Sequence, residues 1–399
     1  MDAFTTPSNW QKVRLGDIAE IKRGASPRPI ENPKWFYTNS NVGWVRISDI
    51  SKNSRFLYKT AQKLSKKGIE KSRFIKQNSL IMSMCATIGK PIITKIDTCI
   101  HDGFVVFENP KIDLNYLYYF LCYIEKEWLE SGQQGSQVNL NVDLIKNKEV
   151  FCPKDLDEQA AIANILSDVD RYLCSLDALI LKKESVKKAL SFELLSQRKR
   201  LKGFNQAWQK VRLGDICEFG NGGAYETLIV ENGDFKLISL NSIDIDGNLK
   251  NTMKRVNFYD NSLKQDDIVM VLSDVAHGDF LGLCAVIPSN DYVLNQRMGR
   301  LRKRNDCINI LFLRLYINAN QKYFKMQGQG SSQLNLSKKA IEDFEILLPP
   351  LNEQIAIANI LSALDNEITS LKNKKRQFEN IKKALNHDLM SAKIRVLEK

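Results

Sequence analysis

The sequence predicts a mixed α/β fold made of two copies of one unit, each of which ends in a long helix. The first observation is a repeat: WQKVRLGDIAE at 10–20 returns as WQKVRLGDICE at 208–218, with ten of eleven positions identical. A second block repeats further along, because EQAAIANILSDVD at 158–170 returns as EQIAIANILSALD at 353–365. Two such blocks in the same order indicate a duplicated unit of about 195 residues.

Length and composition agree with a globular protein of at least two domains. The chain has 399 residues, against roughly 100–200 for one domain, and its 43% apolar and 26% charged residues are ordinary values. The sequence contains neither a bilayer-spanning apolar stretch nor the pattern of a secretory signal. Eight scattered cysteines without a C-x-x-C pattern are typical of reduced thiols. We therefore expect a cytoplasmic protein with neither disulfides nor bound zinc.

Each copy is expected to contain strands followed by a helix, since short runs rich in β-branched residues precede a longer apolar segment. The expected strands are 43–50, 79–89 and 102–108 in the first copy and 235–243, 267–275 and 281–288 in the second. The expected helices follow at 115–131 and 308–324. Each copy therefore reads as an α+β domain.

The segment that closes each copy has the heptad pattern of a coiled coil. Apolar residues recur at a and d spacing for more than four heptads without an internal proline, which predicts helices of about 40 residues and ~60 Å. The seam residues that we single out are Leu166, Leu173, Ile180, Leu361, Ile368 and Leu389. Lys187 and Lys382 occupy equivalent seam positions, where polar residues usually fix the register.

These patterns divide the chain into four segments. A first domain at 1–155 is followed by a central helix at 156–203, and a second domain at 204–348 is followed by a C-terminal helix at 349–399. Between the repeated blocks, residues 24–130 and 222–326 barely match. A shared fold with unlike interiors suggests two domains that recognise different things, although drift after duplication is an alternative.

The charge favours a polyanionic partner. The 58 basic and 46 acidic residues give a net charge of +12, which suits nucleic acid or a membrane surface. Between residues 51 and 80 there are nine lysines and arginines against one glutamate, and a second basic cluster lies at 300–304. A solvated charged face is the alternative explanation for the first run.

These blocks resemble the specificity (S) subunit of type I restriction-modification systems, the HsdS family, over nearly the whole chain. Trp10 and Trp208 each begin a W-x-x-x-x-L-G-D block, and 349–354 reads P-P-L-x-E-Q before the second long helix. Residues 153–159 form a less perfect copy, with Lys154 in place of the second proline. The first copy also contains the runs IKRGASPRP, WVRISDI and ATIGK at 21–29, 44–50 and 86–90.

The resemblance implies two target recognition domains, each of which reads one half of a bipartite DNA target. Two antiparallel coiled-coil helices would separate them, set the spacer and dock two methyltransferase (M) subunits. Restriction/translocase (R) subunits would complete the complex, with no membrane partner. S-adenosylmethionine, ATP and Mg are then expected on the partner subunits, and this chain would bind no cofactor. The alternative is the specificity module of a fused or stand-alone DNA methyltransferase or restriction enzyme.

The sequence does not match the common catalytic signatures, which favours a non-catalytic DNA-recognition role. Met84 stands where a phosphate-binding P-loop needs its first glycine before Gly89-Lys90. The string Asn32-Pro-Lys-Trp35 lacks the second proline of an amino-methyltransferase box, and no Pro-Asp pair of a nuclease site occurs. The three histidines are isolated from other metal ligands. We therefore predict no catalytic residue and no metal site in this chain.

The predicted DNA contacts fall into two classes, because phosphate contacts position a protein and base-edge contacts specify the sequence. The phosphate candidates are Arg55, Lys63, Lys66, Lys67, Arg300, Arg302 and Arg304. The base-reading candidates are Arg28, Lys34, Arg46, Asp49, Asn221, Tyr225, Asn241, His277, Asn295, Gln296 and Arg297.

Overall fold

The structure, a computed structural model, describes residues 8–52, 55–131, 140–275 and 278–396. It divides into two units, one made of Met1–Asp177 with Asn373–Lys399 and the other of Ala178–Lys372. The two long helices pass from one unit into the other, so each unit contains one half of each helix.

The strands of the first unit are Trp10–Arg14 (β1), Glu20–Arg23 (β2), Gly43–Val45 (β3), Phe56–Leu57 (β4), Gln62–Lys63 (β5), Arg73–Ile75 (β6), Leu80–Ser83 (β7), Pro91–Thr94 (β8), Thr98–Ile100 (β9), Phe104–Glu108 (β10) and Glu149–Pro153 (β11). They form a central sheet of strand order β2-β10-β7-β8-β4 and a second sheet of order β5-β3-β9-β6. Its helices are Leu15–Ile18 (α1), Ile47–Ser51 (α2), Lys66–Glu70 (α3), Leu114–Tyr123 (α4), Glu125–Ser131 (α5), Val142–Asn147 (α6) and the start of Leu156–Leu195 (α7).

The second unit repeats this plan with the strands Gln209–Arg212 (β12), Cys217–Asn221 (β13), Phe235–Ile238 (β14), Lys254–Val256 (β15), Ile268–Val271 (β16), Ser273–Val275 (β17), Cys284–Val286 (β18), Tyr292–Leu294 (β19), Met298–Lys303 (β20), Gln333–Asn335 (β21) and Glu345–Leu348 (β22). Its sheets have the orders β13-β20-β16-β18 and β15-β14-β19. Its helices are Leu213–Ile216 (α8), Ile310–Ala319 (α9), Gln321–Gln327 (α10), Lys338–Glu342 (α11) and the start of Leu351–Met390 (α12).

The central strands are continuous apolar runs because both of their faces are covered. Along β7, Leu80 and Met82 pack into the core that contains α4, whereas Ile81 packs into the core on the opposite face. Strand β16 alternates in the same way, with Ile268 in one core and Val269 in the other.

Several expected elements are shorter than the sequence suggested. The strand expected at 43–50 ends at Val45, because Asp49 accepts a hydrogen bond from the Arg46 backbone and starts helix α2. The expected helix at 115–131 is divided into α4 and α5 at Ile124. The strand expected at 267–275 is likewise divided into β16 and β17.

The two long helices match their expected length, since α7 and α12 each contain 40 residues. Five of the six seam residues are buried: Leu166, Ile180, Leu361, Ile368 and Leu389. The sixth, Leu173, is half-buried. The fold class of two repeated α+β domains with two packed long helices is therefore confirmed.

Ion pairs show that the helices run antiparallel. In the first unit, Lys382 Nζ lies 2.6 Å from Asp170 Oδ1, and in the second unit Lys187 pairs with Asp365. In the first unit, residues early in α7 thus face residues late in α12. In the second unit, residues late in α7 face residues early in α12. Lys187 and Lys382, which the sequence placed at equivalent seam positions, form equivalent interhelical pairs.

The repeated blocks attach each domain to its helix. In the first unit, Trp10 Nε1 donates to the buried carboxylate of Glu158 at 3.1 Å. In the second, Trp208 Nε1 donates to Glu353 at 3.0 Å, and Glu353 also pairs with Arg200 at 2.6 Å. A buried carboxylate needs such donors, because an unpaired one would cost several kcal/mol, on the order of the desolvation penalty of the ion.

The glutamine that follows each glutamate holds the start of the domain helix. Gln159 Oε1 accepts from the Asp113 backbone at 2.8 Å, and Gln354 Oε1 accepts from the Asn309 backbone at 2.8 Å. Asp113 and Asn309 are the N-caps of α4 and α9. The Glu-Gln pair therefore fixes both the repeated tryptophan block and the main helix of each domain to the long helix.

Candidate nucleic-acid interface

A group of exposed lysines in the first unit forms what we call the lysine surface, made of Lys34, Lys63, Lys66 and Lys67. Lys63 ends β5, and Lys66 and Lys67 begin α3. The helix starts here because Ser65 Oγ accepts from the Gly68 backbone at 3.3 Å. The same hydroxyl donates to the Lys34 carbonyl at 2.8 Å, so α3 lies against the short turn Pro33–Trp35.

The turn that holds Lys34 is itself anchored. Trp35 is buried, and its Nε1 donates to the Pro29 carbonyl at 2.8 Å. The Lys34 ammonium lies 4.3 Å from the centre of the Trp35 ring, a cation–π distance. Lys34 was predicted to read a base, and the structure places it beside the phosphate candidates Lys66 and Lys67.

The prediction that Arg55 contacts a DNA phosphate is wrong. It is 7% exposed, and its guanidinium donates to Tyr119 Oη at 2.9 Å, Ser167 Oγ at 2.6 Å and Asn115 Oδ1 at 2.6 Å. Three residues that lie 60 or more positions beyond Arg55 in the chain thus accept hydrogen bonds from its guanidinium. Arg55 attaches the domain to α7 and is not placed to meet phosphate.

Arg28 projects from the loop after β2. Its Nη2 lies 2.7 Å from Asp102 Oδ2, and the Arg28 side chain is 70% exposed. Ser26 Oγ donates to the other Asp102 oxygen at 2.7 Å. Arg28 is therefore an accessible guanidinium whose direction is set by a carboxylate.

His101, the neighbour of Asp102, is uncharged at neutral pH. Burial is the main reason that its pKa is lowered to about 4; the charge of Asp102 opposes this shift, and the nearby charge of Arg46 adds to it. Its Nδ1 accepts from the Gly103 backbone at 2.9 Å, which shapes the turn between β9 and β10. Arg46 is half-buried beside this turn.

The prediction that Asp49 reads a base is also wrong. It is buried, and its two carboxylate oxygens accept from the backbones of Arg46 at 2.9 Å and Ala61 at 3.0 Å. Its carboxylate thus closes helix α2 against the following loop.

Two phosphate candidates of the second unit lie in a strand with paired guanidinium groups. Arg302 makes a bidentate pair with the buried Asp267, at 2.8 and 2.6 Å. Arg300 is 13% exposed at its side chain and pairs with Glu218 at 2.6 Å. These donors hold β20 to neighbouring segments, and the phosphate contacts of Arg300 and Arg302 stay predictions. Arg304 is exposed, with Nε 3.2 Å from the Gly214 carbonyl, and stays a prediction.

The prediction that Asn295 reads a base is wrong as well. It is 3% exposed, with Oδ1 accepting from the Tyr225 backbone and Nδ2 donating to Glu226, both at 3.1 Å. The Tyr225 hydroxyl donates to Asp260 at 2.8 Å. Asn295 and Tyr225 thus build the loop that presents Glu226, and the half-buried Tyr225 stays a prediction as a base reader.

The remaining candidates of the second unit are more accessible. Asn241 and Arg297 are exposed and line one cleft of about 500 Å³, together with Lys250. Arg297 has φ +66°, a left-handed backbone that is uncommon outside glycine and is often found at functional sites. Asn221 is exposed at the end of β13, and Gln296 is half-buried. His277 lies outside the described residues.

The described residues offer no group of three or more side chains that could hold a metal ion. None of the described helices combines the length and the apolar character that crossing a bilayer requires.

Comparison with known proteins gives the family. The model of the type I restriction modification DNA specificity domain matches twice, at residues 7–183 and 205–380. The chain belongs to this family. The two matches coincide with the two copies that the internal repeat predicted, so the resemblance inferred from the sequence is confirmed.

Relatives of similar length support the assignment. The MjaVIII specificity subunit of a type I restriction enzyme from Methanocaldococcus jannaschii is 26% identical, covering 99% of this chain and 95% of that protein. The type I S subunit from M. genitalium has a TM-score of 0.64 at 17% identity and covers 97% of both chains. A structure described as showing complex assembly and conformational transition of the type I R-M system has a TM-score of 0.60 at 15% identity, with 97% and 99% covered.

Two sets of residues were missed by the sequence analysis. The Trp10–Glu158 and Trp208–Glu353 contacts had a signal, because all four residues lie in the repeated blocks. Asp102 had no local signal, since the Arg28 that it binds lies 74 positions away.

Proposed function

We propose that this chain is the DNA-recognition subunit of a type I restriction-modification complex, in which each domain reads one half of a bipartite target. The observation that supports this most directly is the double match to a DNA specificity domain on one chain. The two domains share their attachment to the long helices but differ in the side chains of their exposed loops. Two unlike readers on one framework suit a target with two unlike halves.

The antiparallel helices set the spacer in this proposal. Interhelical ion pairs in each unit, such as Lys382–Asp170 and Lys187–Asp365, support a fixed register. Exposed apolar residues on both helices, including Leu181, Phe192 and Ile381, suit the docking of two M subunits. R subunits join the same complex.

The chemistry lies on the partner subunits. S-adenosylmethionine, ATP and Mg bind there, and this chain contributes recognition without a catalytic residue. The relatives support this role because they are named specificity subunits.

The test is methyl transfer to DNA in the presence of S-adenosylmethionine. We expect none from the purified full chain and none from the M subunits alone, but sequence-specific methylation once the two are combined. Mapping the modified bases should give a split motif with an unread spacer. Methyl transfer by the highly purified chain alone would instead assign it to a stand-alone enzyme.

A further inference from the structure

The two units contain the same backbone junction between a loop and a turn. In the first, Gly24 N donates to the Phe104 carbonyl at 2.8 Å and Ala25 N to the Ile100 carbonyl at 3.1 Å. In the second, Gly222 N donates to Met298 at 3.2 Å and Gly223 N to Leu294 at 3.0 Å. The loop after β2 or β13 is thereby fixed to the turn after β9 or β19.

Close contact at this junction explains its leading glycine. A Cβ on Gly24 would lie 2.0 Å from the His101 carbonyl oxygen, and one on Gly222 would lie 2.1 Å from the Asn295 carbonyl oxygen. These distances are below any van der Waals contact, so a side chain would separate loop and turn. Because Gly24 is equivalent to Gly222 as a donor, position 28 of the loop corresponds to position 226. Because Ile100 is equivalent to Leu294 as an acceptor, position 102 of the turn corresponds to position 296.

In the first unit, the junction presents a cation held by a carboxylate. Asp102 accepts from Ser26 and pairs with Arg28, each at 2.7 Å. Burial raises the pKa of the Asp102 carboxyl, but the Ser26 hydrogen bond and the Arg28 charge lower it by more, so its pKa lies below the ordinary value. The carboxylate is therefore charged at neutral pH and orients the guanidinium.

In the second unit, the same position presents an anion. Glu226 is exposed and accepts from Asn295 Nδ2 at 3.1 Å. A hydrogen bond from Gln296 is the main influence that lowers the pKa of the Glu226 carboxyl. The backbone is thus repeated while the charge at the tip is reversed.

This reversal indicates contact with bases and not with phosphates. A carboxylate repels the phosphate backbone, so an exposed glutamate is compatible with a DNA interface where it meets amino groups on base edges. A guanidinium paired with a carboxylate belongs to a group of little net charge, but it keeps its directional donors. Arginine pairs with guanine O6 and N7, and glutamate accepts from cytosine N4.

We propose that this junction is a base-reading centre in each domain, where Arg28 reads a guanine in one half-site and Glu226 reads a cytosine in the other. Asp102 is the positioning residue for Arg28, and Gln296 and Asn295 position Glu226. The inference rests on the proposed function, because it requires that each domain reads one half-site.

The experiment is a selection of binding sites from randomised DNA by the full chain assembled with its M subunits. Arg28→Gln should replace guanine by adenine at one position of one half-site, since glutamine pairs with adenine N6 and N7. Glu226→Gln should change one position of the other half-site. Preference for the original base should fall roughly 5- to 150-fold, the range for one good side-chain–base pair.

Asp102→Asn tests the positioning role. We expect reduced preference at the same base pair that Arg28→Gln alters, with unchanged binding to non-specific DNA, and partial recovery in Asp102→Glu. Lys12→Gln is the matched control, because Lys12 forms an exposed ion pair with Glu149 on strands away from the junction. It should leave both half-sites unaltered.

The outcomes separate the two proposals. A parental complex that selects no split motif overturns the proposed function and this inference together. A parental split motif that Arg28→Gln and Glu226→Gln both leave unchanged overturns the junction alone, and so does a change in the same half-site for both variants. If Arg28→Gln fails to assemble, Glu226→Gln tests the same junction in the second unit.

Discussion

Individual arginines and lysines of one basic run have different roles in this protein. Arg55 is buried against helix α7, whereas Lys63, Lys66 and Lys67 are exposed. Among the described residues, none of these three lysines forms an ion pair with a carboxylate. Charge density in the sequence therefore located a surface, but burial decides which members can meet DNA.

The lysine surface leads to a prediction about salt dependence. Changing Lys63, Lys66 and Lys67 together to Gln should weaken specific and non-specific DNA binding alike. If all three neutralise phosphates, the slope of log K against log salt becomes shallower by up to ~2.7 units, at about 0.9 per contact. The measurement is DNA affinity over a series of salt concentrations.

A control triple tests whether position or net charge matters. Lys12, Lys111 and Lys146 are also exposed in the first unit, and their change to Gln removes the same charge. This triple should keep the parental slope. Equal slopes for both triples would indicate that the lysine surface is an ordinary solvated face that does not contact phosphates.

Arg55 leads to a prediction about stability. Arg55→Met should lower the free energy of unfolding by about 2–4 kcal/mol, because Tyr119, Ser167 and Asn115 lose buried hydrogen bonds. Lys59→Met, an exposed neighbour in the same run, should change it by less than about 0.5 kcal/mol. Chemical denaturation of the full chain measures both. A small effect of Arg55→Met would contradict the packing role.

At the scale of elements, the long helices are joined by ion pairs in both units. Asp177 of α7 pairs with Lys375 of α12 at 2.6 Å, and further along Glu184 pairs with Lys372 at 2.8 Å. An insertion in α7 alone would shift one set of pairs against the other. The proposed spacer role is therefore tested best by equal insertions in both helices.

We expect a longer spacer after inserting four residues next to Lys182 and four next to Asn373, because these positions lie between the Asp177–Lys375 and Glu184–Lys372 pairs and leave both intact. Four residues add ~6 Å of helix, comparable with one or two base pairs. Four is also close to a helical turn, so the seam is only locally unwound, whereas two residues rotate it by ~200°. The methylated motif of the assembled complex gives the spacer. An active four-residue variant with the parental spacer would show that another element sets the separation.

At the scale of the whole molecule, the repeated blocks and the unlike interiors separate attachment from recognition. Replacing residues 24–130 by the matching segment of another family member should change one half-site only. The donor segment has to supply partners for Ser167 and Asp170, which bind Arg55 and Tyr119 here. The measurement is the methylated motif of the hybrid complex.

The reciprocal replacement is the control for this prediction. Exchange of 222–326 should change the other half-site and leave the first intact. A folded hybrid in which both half-sites change would show that the two domains do not read independently.

The sequence by itself determined the duplication, the family, the two long helices and their seam. These features depend on local periodicity and on identity between two segments, both of which can be read along the chain. The equivalent lysines Lys187 and Lys382 were found in this way, although their partners Asp365 and Asp170 were not.

Only the tertiary structure decided which polar residues remain available. Arg55 and Asn295 match the chemistry of DNA contacts but are buried and bound by residues distant in the chain. Arg28 stays exposed with a carboxylate from a different strand connection. Exposure and hydrogen-bond partners arise when segments far apart in sequence pack together, and no local pattern of residue types contains that information.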